Sequence, residues 1–107
     1  MEVTQYDIVL VDLGTVSGGE MAKTRPCVIL SPDEMNRHLR TIVIAPMTTR
    51  SRPYPTRVRV RQLQQKGWIV VDQIMTIDRR RILRKFGKLN NSEIRAVKRV
   101  IQETYVD

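Results

Sequence analysis

Arg25 stands directly before Pro26 and the apolar run Cys27-Val28-Ile29-Leu30. A strand opening on proline holds the arginine's backbone and leaves its side chain free to face a groove. Its planar, permanently charged fork matches the oxygens of a phosphate. Thr48 and Thr49 end a second apolar run, TIVIAPM, and supply hydroxyl donors. Asp72 interrupts a third, GWIVVDQIMTI, where an ionised carboxylate needs a partner. An arginine is the obvious one, and a plain structural ion pair between Arg25 and Asp72 fits at least as well as a catalytic pair. Arg50, Arg52, Arg57, Arg59 and Arg61 crowd around Tyr54. Charge that tracks phosphates beside a ring that stacks a base suits a single-stranded polyanion. A charged edge strand that resists aggregation fits them equally.

Several chemistries are excluded. No GxxxxGK[ST] loop is present. Cys27 and His38 are the only thiol and imidazole, too few for a structural zinc site, and no dense carboxylate cluster marks a two-metal nuclease. A single histidine cannot form a two-imidazole acid–base pair, and His38, in polar company, reads as a solvated surface residue. The expectation is no metal and no cofactor. Cys27, inside its apolar run, reads as a buried, inert thiol.

The elements that position these groups are short. Residues 6–13, 26–30, 41–47, 56–61, 67–77 and 83–87 read as strands, from β-branched and apolar content. Residues 14–24 carry three glycines and read as a loop. In 56–61 the arginines at 57, 59 and 61 alternate with Val58 and Val60, the mark of a half-exposed strand. Ser31, Pro32 and Glu34 resemble an N-cap, N1 and capping box opening a turn or two of helix. Arg79-Arg80-Arg81 after Asp78 reads as a helical turn, either solvated or part of a second basic patch with Arg84 and Lys85. Asn90 and Glu93 spell a capping box, and Ile94, Val97, Ile101 and Tyr105 recur at helical spacing. Strands this short close best as a small, strongly bent barrel, so the expected fold is mainly β with a C-terminal helix.

The 107 residues suit one domain, 1–107. Lys and Arg total 19 against 11 Asp and Glu, a formal charge of +8 that draws polyanions. Neither a secretory signal nor a run of ~20 apolar residues is visible, so a cytoplasmic protein with no membrane span is expected.

Four blocks in register resemble the MazF/PemK/Kid toxins: YDIVLVDL, GGEMAKTRPCVILSP, IAPMTTRSRPYPTRV and GWIVVDQIMTIDRRRI. The resemblance runs over nearly the whole chain. It implies an SH3-like barrel, a homodimer, metal-independent cleavage of single-stranded RNA at a short sequence, and inhibition by a cognate antitoxin with an acidic tail. Carried over, Arg25 and Thr48 match the positions assigned to catalysis, Glu20 and Gln73 lie close to RNA, and Asp72 matches an aspartate implicated in some members. Thr49, Arg50, Arg52, Tyr54 and Arg57 join Gln73 as the expected RNA-contacting set. Some relatives carry an arginine two residues before the aspartate; Val70 stands there, so a role resting on that arginine does not transfer. The implied chemistry is attack by a ribose 2′-hydroxyl, with Arg25 stabilising charge and Glu20 acting as base or orienting the nucleotide. Two alternatives stay open: a CcdB-like gyrase poison without catalysis, and a non-catalytic RNA-binding module.

Overall fold

The computed structural model describes residues 2–15, 22–62 and 65–106. Seven strands are present among them: β1 (Asp7–Thr15), β2 (Ala22–Ile29), β3 (Thr41–Thr48), β4 (Arg57–Gln62), β5 (Gln65–Val70), β6 (Met75–Asp78) and β7 (Ile82–Lys88). Two helices, α1 (Asp33–His38) and α2 (Asn91–Tyr105), and two 3-10 turns, Val71–Gln73 and Arg79–Arg81, complete the order. All pairings are antiparallel, in the path β4-β5-β3-β2-β1-β7 with β6 also on β3. The sheet curls into a half-barrel, as the short strands lead one to expect.

Both faces of the curl are apolar, which is why β1 reads as an unbroken hydrophobic run. Ile8, Val28, Ala45, Met47, Val58 and Val60 join one core, under α2. Val9, Val11, Cys27, Ile29, Ile42 and Ile44 join the other. Successive residues alternate between the two, the period of an extended chain. α2 is held at its start by the predicted capping box: Asn90 Oδ1 accepts from the Glu93 amide at 2.8 Å and Glu93 Oε1 from the Asn90 amide at 2.9 Å. Val97 and Val100 are its buried stripe.

Three expectations need correction. Residues 67–77 are not one strand. Continuing the Met47–Ile69 register would set Ile44 against Asp72, yet Met75 pairs with Ile44, three residues on. Val71, Asp72 and Gln73 therefore leave the ladder as a 3-10 turn, and Asp72 is exposed rather than mid-strand. Such an insertion bends and twists a sheet. Second, Ser31 does not cap α1. It is buried, donates to Asn36 Oδ1 at 2.6 Å and accepts from the Val43 amide at 3.1 Å, tying α1 to β3. Pro32 is the N-cap, without a side-chain bond, and no Glu34 capping box forms. Third, β2 begins at Ala22, inside the expected loop.

The arginine run 79–81 is structural. Arg79 donates to the Asn36 and Leu39 carbonyls at the end of α1, Arg80 pairs with Asp78 at 3.1 Å, and Arg81 donates to the Asp12 carbonyl at 3.2 Å. His38 is exposed, as expected. No helix among the described residues is long and apolar enough to cross a membrane.

Three outcomes follow from the core and the cap. Burial pushes the Cys27 thiol from its ordinary 9.0 up to about 12, only partly offset by the nearby Arg25 charge. Iodoacetamide at pH 8 should therefore label Cys27 only at the rate at which the protein opens, and rapid native-state labelling would contradict this. Because the folded thiol holds its proton more tightly, stability should decline as pH rises above about 9. Asn90→Ala should cost roughly 1 kcal/mol in denaturant unfolding.

Candidate functional site

The pairing of β2 with β3 builds the site. Cys27 faces Pro46 and Ile29 faces Ile44 across the ladder. Beyond the last pair of this ladder, Arg25 precedes Cys27 by two residues and Thr48 follows Pro46 by two, and both line the same grooves. On both strands alternate residues share a face. Ile29 and Cys27 on β2, like Ile44 on β3, lie in the buried core; Arg25 and Thr48 continue those rows to the open end, where each is half-buried. Lys23 lies two residues before Arg25 on the same row and is exposed. It was missed from sequence because residues 14–24 read as loop; with the strand starting at Ala22, period two would have found it.

Two grooves flank this row. The first, of about 440 Å³, runs toward β5 over Ile8, Pro26, Met47 and Val60, with Lys66 and Gly67 at its far side. The second, of about 570 Å³, runs toward the 71–73 turn and is lined by Leu13, Arg57, Val70, Gln73, Ile74 and Met75. Lys23, Arg25, Thr48 and Arg50 line both. They form a cationic ridge between two hollows. Thr24 and Thr49 face the first groove alone.

Among the described residues the ridge cations have no ion-pair partner. The ion pairs among the described residues are Arg57–Asp72, Arg80–Asp78 and Lys85–Asp7, none of which involves Lys23, Arg25 or Arg50. Convergent charge beside a concave surface is the arrangement that concentrates an anion. Thr48 is held in a local turn: its Oγ1 donates to the Arg50 carbonyl at 3.1 Å and accepts from the Arg50 amide at 3.2 Å. Rotating that hydroxyl off the carbonyl frees it to donate toward the ridge. A Cβ at position 67 would come within 3.3 Å of the Thr48 carbonyl, so glycine lets β5 approach the end of β3 closely.

Asp72 does not pair with Arg25. Its Oδ1 accepts from Arg57 Nε at 3.2 Å and from Thr56 Oγ1 at 2.9 Å. The reason is the register insertion, which lifts the turn out of the sheet toward the start of β4. Partial burial works to raise the Asp72 pKa, but the hydrogen bonds from Arg57 and Thr56 outweigh it and hold the carboxyl below its ordinary value. Arg57 is committed further: Nη1 donates to Ser51 Oγ at 2.7 Å and the guanidinium lies 5.0 Å over the Tyr54 ring. At the other side of the turn, Tyr105 Oη donates to the Val71 carbonyl at 2.7 Å, fastening the end of α2 to it. Gln73 is thereby presented, exposed, to the second groove.

The structure thus brings Arg25, Thr48, Thr49, Arg50, Arg57 and Gln73 to the grooves. Arg52 and Tyr54 are exposed on the 49–56 connection outside them. Arg59 faces outward, 5.7 Å over the Trp68 ring. Glu20 lies outside the described residues. Among the described residues no group of three or more His, Cys, Asp or Glu side chains is arranged to hold a metal ion.

Known proteins resemble this chain along nearly its full length. An endoribonuclease MazF of Staphylococcus saprophyticus is 31% identical over 101 residues, spanning 89% of this chain and 84% of the relative. The Mycobacterium tuberculosis toxin MazF-mt6 is 28% identical with a TM-score of 0.78, covering 91% of this chain and 93% of its own. A Deinococcus radiodurans MazE–MazF crystal structure superposes with a TM-score of 0.82 over 96% of this chain and 95% of that one; at 20% identity it supports the fold alone. The profile of the family described as PemK-like, MazF-like toxin of type II toxin-antitoxin system matches residues 4–105. The chain belongs to that family of toxins.

Proposed function

We propose that this protein is the toxin of a type II toxin–antitoxin pair, a metal-independent endoribonuclease that cuts single-stranded RNA at a short sequence. One observation carries the reading: a permanently charged guanidinium with no carboxylate partner among the described residues shares a ridge between two grooves with a hydroxyl. The Staphylococcus saprophyticus relative is named an endoribonuclease. Charge and shape here fit the same polyanion.

The reaction supplies its own nucleophile. The 2′-oxygen attacks the adjacent phosphorus, the bond from phosphorus to the 5′-oxygen breaks, and the products are a 2′,3′-cyclic phosphate and a 5′-hydroxyl. One proton leaves the 2′-hydroxyl and one is gained by the departing 5′-oxygen. Arg25 stabilises the charge that builds on the non-bridging oxygens; preorganised donors of this kind commonly contribute ~3–4 kcal/mol. Thr48 adds a hydrogen bond to the same oxygens. Arginine holds its proton to a pKa above ~12, so solvent carries part of the proton transfer. Glu20 is assigned either the base or the orientation of the nucleotide. Asp72 is assigned a supporting part, fixing Arg57 and the turn that presents Gln73. Thr49, Arg50, Arg52 and Tyr54 contact the strand on either side.

The protein acts in the cytoplasm as a homodimer under one cognate antitoxin. An acidic antitoxin segment and RNA seek the same ridge cations, so they compete. The Deinococcus radiodurans structure shows a relative of this fold with MazE. Ile74 and Met75, exposed beside the second groove, offer apolar surface to a second copy.

Purified protein incubated with a long single-stranded RNA in EDTA should yield cyclic-phosphate ends at one recurring sequence. Intact RNA would leave the non-catalytic binding module, and trapping of topoisomerase on plasmid DNA would favour the gyrase poison. A strand carrying 2′-O-methyl groups throughout should resist cutting. Arg25→Ala should lower kcat/KM ~10²-fold or more with the melting temperature unchanged; wild-type activity in that variant removes the mechanism. Asp72→Asn should weaken the Arg57 contact and lower stability by roughly 1 kcal/mol, with a smaller loss of rate than Arg25→Ala. The depressed Asp72 pKa makes its ion pair stabilising above the ordinary value of 3.8 and lost as acid titrates it. The rate should therefore show no inflection from Asp72 between pH 5 and 8.

A further inference from the structure

We infer that Lys23 is a catalytic residue, the general acid that gives its proton to the departing 5′-oxygen. This rests on the reading above that a phosphodiester sits at Arg25 and Thr48.

The grooves limit the choice of acid. Among the described residues that line them, the charged groups are Lys23, Arg25, Arg50, Arg57 and Lys66, and none of the others is a carboxyl, imidazole, thiol or phenol. A guanidinium stays charged beyond pH ~12 and serves as fixed charge. An alkoxide is a far stronger base than an amine, so an ammonium surrenders a proton to it as the bond to phosphorus breaks. Two ammonium groups line the grooves. Lys66 stands on β5 at the far side of the first groove alone. Lys23 stands on the ridge shared by both, beside Arg25.

The fold gives Lys23 a place of its own. Across β1 and β2, Asp12 pairs with Thr24 and Thr15 with Ala22, so Leu13 and Gly14 together oppose Lys23. This is a β-bulge. Gly14 takes a φ of +89°, a conformation that favours glycine. Asp12 Oδ1 accepts from the Gly14 amide at 2.8 Å, and Arg81 donates to the Asp12 carbonyl at 3.2 Å, so the bulge is braced. Bulges beside active sites twist the strand and re-aim side chains. Two strand residues span roughly 7 Å. Lys23 is exposed, and its flexible four-carbon stem covers that distance to the phosphate at Arg25. No carboxylate among the described residues forms an ion pair with it.

The step balances. The 2′-oxygen bonds to phosphorus, and its proton passes to the base or to water. Arg25 and Thr48 hold the charge on the non-bridging oxygens. The bond from phosphorus to the 5′-oxygen breaks, its electron pair stays on that oxygen, and a proton moves there from Lys23 Nζ. Lys23 is left as a neutral amine and regains a proton from water. Arg25 thus carries charge while Lys23 carries the proton.

The test uses the full-length protein and two substrates, one with the natural 5′-oxygen at the cut and one with sulfur in its place. A thiolate leaves without a proton, since thiols are far more acidic than alcohols. Lys23→Met and Lys23→Arg should each lower kcat on the oxygen substrate ~10²-fold or more, the usual worth of a general acid. Lys23→Arg keeps the charge, so its KM should stay near the wild-type value. On the sulfur substrate both variants should regain the wild-type rate. Lys66→Met should keep the wild-type ratio of the two rates. Melting temperature is the control for folding, and Lys23→Arg keeps the test decisive if Lys23→Met unfolds. Wild-type activity of Lys23→Arg on the oxygen substrate reduces Lys23 to a charge and overturns the inference. An equal loss on both substrates overturns it too, as does a rescue by sulfur seen with Lys66→Met instead. Failure of the wild type to cut any RNA would instead defeat the underlying reading.

Discussion

The register between β2 and β3 is the constraint on which the site depends. It buries Cys27, Ile29 and Ile44 on one face and, by the same alternation, carries Arg25 and Thr48 to the open end of that face. A slip of one residue would send the apolar row to the other side and the two polar groups with it. Burial on both faces of the sheet penalises such a slip heavily, so the core specifies the site's geometry as a side effect of its own packing. Arg25 needs no ion pair to hold its backbone: strand pairing and the proline that follows do that.

A second constraint acts on the other edge of β3. β5 and β6 pair along that edge in registers three residues apart, and the surplus is taken up by Val71, Asp72 and Gln73. The turn is then secured from three sides, by Thr56 and Arg57 on the Asp72 carboxylate and by Tyr105 on the Val71 carbonyl. Arg57 links it onward to Ser51 and Tyr54 in the 49–56 connection. The groove beside Gln73 is thus shaped by a polar network that reaches from the end of α2 to the segment following Thr48.

Charge is distributed unevenly between support and site. Arg57, Arg79, Arg80, Arg81 and Lys85 are engaged with carboxylates, hydroxyls or carbonyls of the fold. Lys23, Arg25 and Arg50 converge at the ridge without an ion pair among the described residues. Like charges held close repel, and an incoming polyanion relieves that repulsion. That argument depends on charge alone and holds for any polyanion, nucleic acid or acidic protein segment.

Much of this was legible in the residues themselves. Alternation and β-branched content located most of the strands, the Asn90–Glu93 pair started α2 where it starts, and Arg25, Thr48 and Gln73 were singled out by chemistry or by resemblance. Each of those is a local property, decided within a few residues along the chain or by matched motifs. The partner of Asp72, the break in the strand over 67–77, the buried role of Ser31 and the duties of Arg79 to Arg81 were not legible. They depend on which distant strand or helix lies alongside, and no local pattern encodes the three-residue register change on β3. Local physics determined the elements and the candidate groups; only the pairing of strands far apart in sequence decided which charges are paired among the described residues.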